Sequence, residues 1–144
     1  MSCCTSYFAR GHMVIEALHG GLARGHDAVE SMILQHIEAV RKRFTCPIFV
    51  AVENNMGQEA SHIYNSLQRS SWKANLHYVH ENNVAGVRTT QAKKELMVLE
   101  LQKYVSQDAL VLSKQCYRQL SGDEVSRAML EECKAQLLSF RRVV

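Results

Sequence analysis

The sequence contains no apolar run long enough to cross a bilayer. Its longest stretches, Ile48–Val52 and Leu110–Leu112, are far shorter than the roughly twenty residues that a membrane-spanning helix needs. The N-terminus also lacks a charged start followed by an apolar run and a small-residue cleavage site, the pattern of a secretory signal. These absences predict a soluble, intracellular protein that has no membrane partner.

Proline is equally scarce, with one in 144 residues, and neither repeats nor low-complexity tracts occur. Nothing therefore marks a linker between domains. A hydrophobic content of 47% is sufficient for a chain of this length to bury a core. The prediction is a single domain over residues 1–144, of which residues 1–12 carry little pattern.

Motifs that would define other classes of protein are absent as well. The five cysteines are odd in number and form no C-x-x-C pair, which predicts reduced thiols rather than a disulfide framework or a zinc site. No phosphate-binding loop of the G-x-x-x-x-G-K-S/T type is present, so no ATPase motor is encoded. The net charge of +3 is a mild basic excess spread along the chain, which is compatible with a polyanionic partner without indicating one.

What is present is an alternation of helix-type and strand-type segments. A helix is predicted over about 27–43, where Asp27 and Glu30 have the spacing of a capping box and apolar residues recur at helical intervals. Ile48–Val52 is a continuous apolar run typical of a central strand covered on both faces. The other predicted strands are Met13–Leu18, Asn75–His80 and Ala109–Ser113, and the other helices lie at Gln58–Leu67, after Thr90 and after Asp123. This order implies an α/β fold with helices packed on a largely parallel sheet.

Glu53 is the acidic residue that this order places at a functional position. It follows directly after the apolar run, and in open α/β sheets the reactive groups lie just beyond the carboxyl ends of the strands. A carboxylate there is costly to desolvate unless it is exposed, paired with a cation or bound to a metal ion. Two interpretations remain open: Glu53 marks the point where the strand emerges into water, or Glu53 binds a metal.

The segment Ile48–Ala60 resembles part of the nuclease domain of herpesvirus-type terminase large subunits. In that family an apolar strand delivers a Glu, which corresponds to Glu53 in this sequence. An Asn and a Gln follow it at the spacings of Asn55 and Gln58. The resemblance implies that Glu53 is a catalytic, metal-binding acid, and that Asn55 and Gln58 support it through hydrogen bonds.

A second segment, Gly86–Thr90 with the Lys93-Lys94 pair, is similar to the turn and basic helix opening that terminase nucleases place after the next strand. The two segments occur in the order that the family shows. The resemblance implies that Arg88, Lys93 and Lys94 contact the backbone of double-stranded DNA.

The fold implied by this family is ribonuclease H-like, a three-layer α/β domain with a mixed, largely parallel sheet. Two or three carboxylates in it hold a pair of Mg²⁺ or Mn²⁺ ions. The family's first catalytic Asp lies on an opening strand, and its final acid follows the last helix. Neither is found in this sequence, so the resemblance implies a partial domain that lacks its first strand. Asp27, Asp108 and Asp123 are predicted to be cap or turn residues rather than the missing ligands.

The implied function is that of the central part of a metal-dependent endonuclease domain. In the complete protein it would cleave concatemeric double-stranded DNA during viral genome packaging in the host nucleus, together with other terminase subunits and the portal. Three alternatives remain open: a non-catalytic α/β module whose basic helix binds an acidic protein, a degraded and inactive viral-derived copy, and a resolvase- or transposase-like nuclease with the same fold. Trp72, which has basic residues on both sides, is predicted to anchor a loop rather than to stack on bases.

Overall fold

A computed structural model describes residues 2–20, 25–54, 58–122 and 124–139 of the chain. The chain forms two compact units. The terminal unit combines Met1–Gly21 with Lys94–Val144, and the central unit is Leu22–Lys93. Both units contain helices and strands, so the α/β class predicted from the sequence is confirmed.

Seven strands and five helices are present within the described residues. Those of the terminal unit are β1 (Ser2–Ala9), β2 (His12–Gly20), β7 (Leu110–Leu112), α4 (Lys114–Ser121) and α5 (Glu124–Ser139). Those of the central unit are α1 (His26–Arg43), β3 (Ile48–Val50), α2 (Glu59–Gln68), β4 (Leu76–Tyr78), β5 (His80–Glu81) and β6 (Val84–Ala85). Helix α3 (Gln91–Ser106) contains the boundary between the units. None of the described helices combines the length and the apolar character needed to span a membrane.

Strands β1 and β2 form an antiparallel hairpin closed by a two-residue turn. The turn residues Arg10 and Gly11 both have positive φ, 51° and 79°, and Ala9 pairs with His12 across them. Positive φ at both positions is the type I′ geometry, whose twist matches that of the strands. The sequence predicts no element before Met13, because the first five residues of β1, Ser2–Ser6, are all small and carry little strand pattern.

The terminal unit has a mixed sheet. Strand β7 pairs in parallel with β2, so that the described strands lie in the order β1-β2-β7. Helix α4 packs on β2 and buries Cys116 and Leu120 almost completely. This helix was not predicted, since its eight residues are too few to show a clear helical period.

The hydrophobic core of the central unit joins α1, α2 and the parallel pair β3–β4, in which Val50 lies opposite Tyr78. The Tyr64 hydroxyl ties the strands together from the side of α2. It lies 2.9 Å from the carbonyl oxygen of Val79 and accepts a hydrogen bond of 3.2 Å from the backbone nitrogen of Val52. The buried members of the core are Ile37, Val50, Ala60, Ile63, Tyr64, Leu67 and Leu76.

Strand β3 differs from the prediction of a central strand covered on both faces. It is limited to Ile48–Val50, and within the described part of the chain it pairs with β4 alone. Val50 is buried, but Phe49 on the opposite face is 70% exposed. The predicted parallel pairing is confirmed, but the predicted burial of both faces was wrong, because a run that is apolar at every position indicates a strand without revealing that one of its faces is open.

The helix starts also differ from the predicted caps. Helix α1 begins at His26, and its N-cap is Gly25, which has φ 85° and provides no side-chain cap. Asp27 therefore lies in the first turn of α1 rather than at the cap. Its negative charge there interacts favourably with the positive end of the helix dipole. By contrast, the cap expected from a threonine at the start of α3 is confirmed, since Thr90 accepts a hydrogen bond of 3.2 Å from the backbone nitrogen of Lys93. The predicted cap at Asp123 lies outside the described residues.

Candidate functional site

The chain that follows strand β3 and the Gly86–Thr90 turn lie side by side in the central unit. Glu53 and Val87 form a parallel β-bridge. The backbone nitrogen of Val87 donates to the Val52 carbonyl, and that of Asn54 donates to the Val87 carbonyl, each at 2.8 Å. The chain that follows β3 is thereby fixed beside the Gly86–Thr90 turn, and Glu53 is exposed to solvent.

Gly86 permits this close approach. It is buried and has a φ of +87°, a backbone conformation that glycine adopts without steric cost. A Cβ at this position would lie 2.6 Å from the Val52 carbonyl oxygen, 2.6 Å from the Ala60 Cβ and 2.9 Å from the Asn54 Cβ. Any side chain would therefore push the turn away from the strand end and from α2.

Asn54 is a residue of the site that the sequence analysis missed. Its Nδ2 donates to the Ala85 carbonyl oxygen at 3.1 Å, so it links the chain after β3 to β6. Its Oδ1 is buried, as is Oε2 of Glu59 in the first turn of α2, and neither has a hydrogen-bond partner within the described residues. Buried oxygens without a donor are costly unless water or a cation satisfies them. The one feature of the sequence that could have identified Asn54 is its position directly after Glu53 at the end of a strand.

The two residues predicted to support Glu53 have different outcomes. Asn55 lies outside the described residues. Gln58 is the N-cap of α2, where its exposed side chain makes no cap hydrogen bond. The role of both residues in orienting Glu53 stays a prediction.

Glu81 holds the turn that precedes α3. The Lys93 ammonium pairs with Oε1 of Glu81 and lies 3.1 Å from the carbonyl oxygen of Arg88, while the backbone nitrogen of Arg88 donates to Oε2 of Glu81 at 3.1 Å. The hydrogen bond from Lys93, followed by the one from Arg88, keeps the pKa of Glu81 below its usual value. The Lys93 ammonium is therefore already engaged inside the central unit.

Arg88 and Lys94 are the other residues predicted to contact DNA, and both are exposed. Arg88 directly follows Val87, so it is carried on the backbone that pairs with Glu53. Lys94 is assigned to the terminal unit. The central unit thus places Glu53 and Arg88 on adjacent backbone segments.

Within the part of the chain that the structure describes, no group of three or more His, Cys, Asp or Glu side chains could hold a metal ion. A metal site at Glu53 would therefore need acids from residues outside that part. Comparison of the chain with protein-family models, with curated proteins and with solved structures found no match. The terminase resemblance stays a prediction.

Proposed function

We propose that this chain is the central part of a ribonuclease H-like, metal-dependent endonuclease domain that cleaves concatemeric double-stranded DNA during viral genome packaging. The observation that supports the proposal is the β-bridge between Glu53 and Val87. Two segments far apart in the sequence, each with a resemblance to terminase nucleases, meet there. An acid and a basic turn that act on one phosphate need such proximity.

The oxygen atoms near the strand end are of the kind that suits Mg²⁺ or Mn²⁺. These hard ions prefer carboxylate and amide oxygens. Glu53 offers an exposed carboxylate, and Oδ1 of Asn54 and Oε2 of Glu59 are buried oxygens that lack a donor within the described residues. Glu53 would hold the metal together with acids that the complete domain supplies.

Bound ions would activate a water molecule and stabilise the leaving oxygen of the phosphodiester. Arg88 would contact a DNA phosphate through its planar guanidinium, and Lys94 would do so as a point charge. Lys93 would act indirectly, since its pairing with Glu81 holds the Arg88 turn. Other terminase subunits and the portal would be partners of the complete protein in the host nucleus.

The test is Glu53→Gln in a polypeptide long enough to supply the remaining acids. The substitution keeps the shape of the side chain and removes its charge, so Mn²⁺-dependent cleavage of a supercoiled plasmid should fall by at least about 100-fold. Circular dichroism should stay unchanged, because the side chain is exposed.

The matched control is Glu38→Gln on α1. Glu38 is another acid of the central unit, with 47% of its side chain exposed, and it pairs with Lys42 at 3.5 Å. Its substitution should leave cleavage unchanged. Undiminished cutting by Glu53→Gln would refute the metal-ligand role.

A non-catalytic interaction module is the second candidate, and helix α3 favours it. Within the described residues α3 has no buried side chain, and Leu96, Met97 and Leu99 are 63%, 55% and 44% exposed. A helix that exposes this much apolar surface is typical of a protein-binding element. Absence of any metal-dependent cleavage by the complete domain would favour this alternative.

A further inference from the structure

The outer face of the β3–β4 pair carries two exposed rings in contact. Phe49 is 70% exposed, and His77 lies directly opposite it on the neighbouring strand and is also exposed. Their ring centroids are 5.0 Å apart with an interplanar angle of 24°. We call Phe49 and His77 the aromatic platform. A large apolar ring on a strand gains stability from burial rather than from contact with water.

The two segments that form the aromatic platform carry basic side chains and no acidic ones. Residues 39–52 and 60–80, which contain β3, β4 and the turns that lead into them, include no Asp or Glu. Within the turn that leads into β4, Arg69 and Lys73 are exposed, and Trp72 is 36% exposed. The basic residues of the two segments are Arg41, Lys42, Arg43, Arg69 and Lys73. Of these, Arg41 donates to backbone carbonyl oxygens of the turns that precede β3 and β4, and Lys42 pairs with Glu38.

We propose that the aromatic platform binds the unpaired bases of a single-stranded nucleic acid, with Arg69 and Lys73 contacting its phosphates. Every base has a π-face, so stacking on aromatic rings is tolerant of sequence, and the cations attract the backbone. Aromatic rings on adjacent strands of an open sheet are a known arrangement for stacking successive bases. The inference is independent of the nuclease proposal, because paired bases inside a duplex have no free faces.

A protein occupant fits the surface less well. A stable protein interface buries roughly 800 Å² on each partner and is depleted of lysine. Two rings bordered by basic turns offer a small apolar area and an excess of positive charge. This combination suits a polyanion that carries flat apolar groups.

The experiment measures binding of the full chain to short, fluorescently labelled oligothymidine and oligouridine by fluorescence anisotropy. Phe49→Ala should weaken binding of both by about tenfold. Phe49→Leu should weaken it similarly because it keeps the apolar side chain but removes the ring, and Phe49→Trp should retain binding. A duplex of the same length should bind more weakly and should not respond to these substitutions.

Phe8→Ala provides the matched control, because Phe8 is 65% exposed in the terminal unit. It removes an exposed phenylalanine elsewhere and should leave the affinity for oligonucleotides unchanged. The readout is oligonucleotide binding rather than metal-dependent cleavage, so a failed nuclease proposal would not be mistaken for failure of this one. Circular dichroism of each variant verifies the fold.

Three results would overturn the proposal. They are no measurable binding by the unsubstituted chain, equal affinity of Phe49→Ala and the unsubstituted chain, and full affinity of Phe49→Leu, which would show that no ring is needed. Light scattering provides a further test. If Phe49→Ala converted a dimer into a monomer without changing the affinity for oligonucleotides, the face would be an interface between copies of the chain.

Discussion

Gly86 is the residue on which the contact between the two segments depends most directly. In Gly86→Ala the new methyl group would meet the Val52 carbonyl oxygen and the Ala60 Cβ, each 2.6 Å away. Positive φ adds a backbone cost for any L-residue, and overpacking adds more. We expect a loss of about 3 kcal/mol in the free energy of unfolding, measured by urea denaturation.

Gly11→Ala is the matched control for Gly86→Ala. Gly11 also has positive φ, +79°, but a Cβ there would have nothing within 4 Å. Only the backbone cost of about 1 kcal/mol should remain. If Gly86→Ala and Gly11→Ala lowered the free energy of unfolding equally, positive φ alone, and not tight packing, would explain the need for glycine at position 86.

The same contacts explain how much of the site could be predicted from single residues. The position of Glu53 at a strand end could be predicted because a charged residue directly after an apolar run stands out in the sequence, and the position of Arg88 in a turn because it follows Gly86 closely. Asn54 could not, since its hydrogen bond to Ala85 joins residues that only the fold brings together. The engagement of Lys93 by Glu81 was missed for the same reason.

Among the described helices, α4 has the clearest N-terminal cap, which is Ser113. It is the N-cap of α4, with extended φ and ψ of −63° and 156°, and its Oγ accepts a hydrogen bond of 3.0 Å from the backbone nitrogen of Cys116. Ser113→Ala removes this bond, so we expect the free energy of unfolding, measured by thermal or urea denaturation, to fall by about 1 kcal/mol.

Ser121→Ala in the last turn of the same helix is the control. The Ser121 hydroxyl donates back to the Tyr117 carbonyl oxygen at 2.7 Å, a bond that contributes little to helix stability. The change should therefore alter the free energy of unfolding by less than about 0.5 kcal/mol. A larger loss for Ser121→Ala than for Ser113→Ala would contradict the capping role.

Helices α1, α2, α3 and α5 could be predicted because their length allows a helical pattern to repeat. The two tight hairpins were missed, although one had a signal. Asn82 and Asn83 close β5–β6 with φ of 49° and 63°, and Asn is one of the few residues that tolerate this conformation. Arg10 in the β1–β2 turn gives no such indication. Turns of this kind are fixed by the strand pairing as much as by their own residues.

Helix α3 shows what its pattern cannot predict. Its apolar residues recur at helical spacing, which normally indicates a buried stripe. In the structure Val98, Leu101 and Tyr104 are half-buried, and Met97 and Val105 are exposed. Periodicity identifies the helix and its apolar face, but the depth of burial depends on what packs against that face.

For the whole molecule, the arrangement of the two units along the sequence has a direct consequence. The central unit is one continuous segment, Leu22–Lys93, whereas the terminal unit is assembled from both ends of the chain. All members of the main hydrophobic core lie inside the central segment. We therefore expect folding of that segment not to require the ends, because its apolar side chains bury one another.

We predict that residues 22–93 fold when expressed alone. Leu67 is fully buried in their core, so Leu67→Ala should lower the free energy of unfolding by about 2–5 kcal/mol in the isolated segment and in the corresponding transition of the full chain. Leu120→Ala, a buried leucine of α4 in the terminal unit, should leave the central transition of the full chain unchanged. Far-ultraviolet circular dichroism during urea denaturation measures the unfolding of the isolated segment and of the full chain. A segment of this length is large enough to fold independently. If the isolated residues 22–93 unfolded without a cooperative transition, the core would need the ends of the chain.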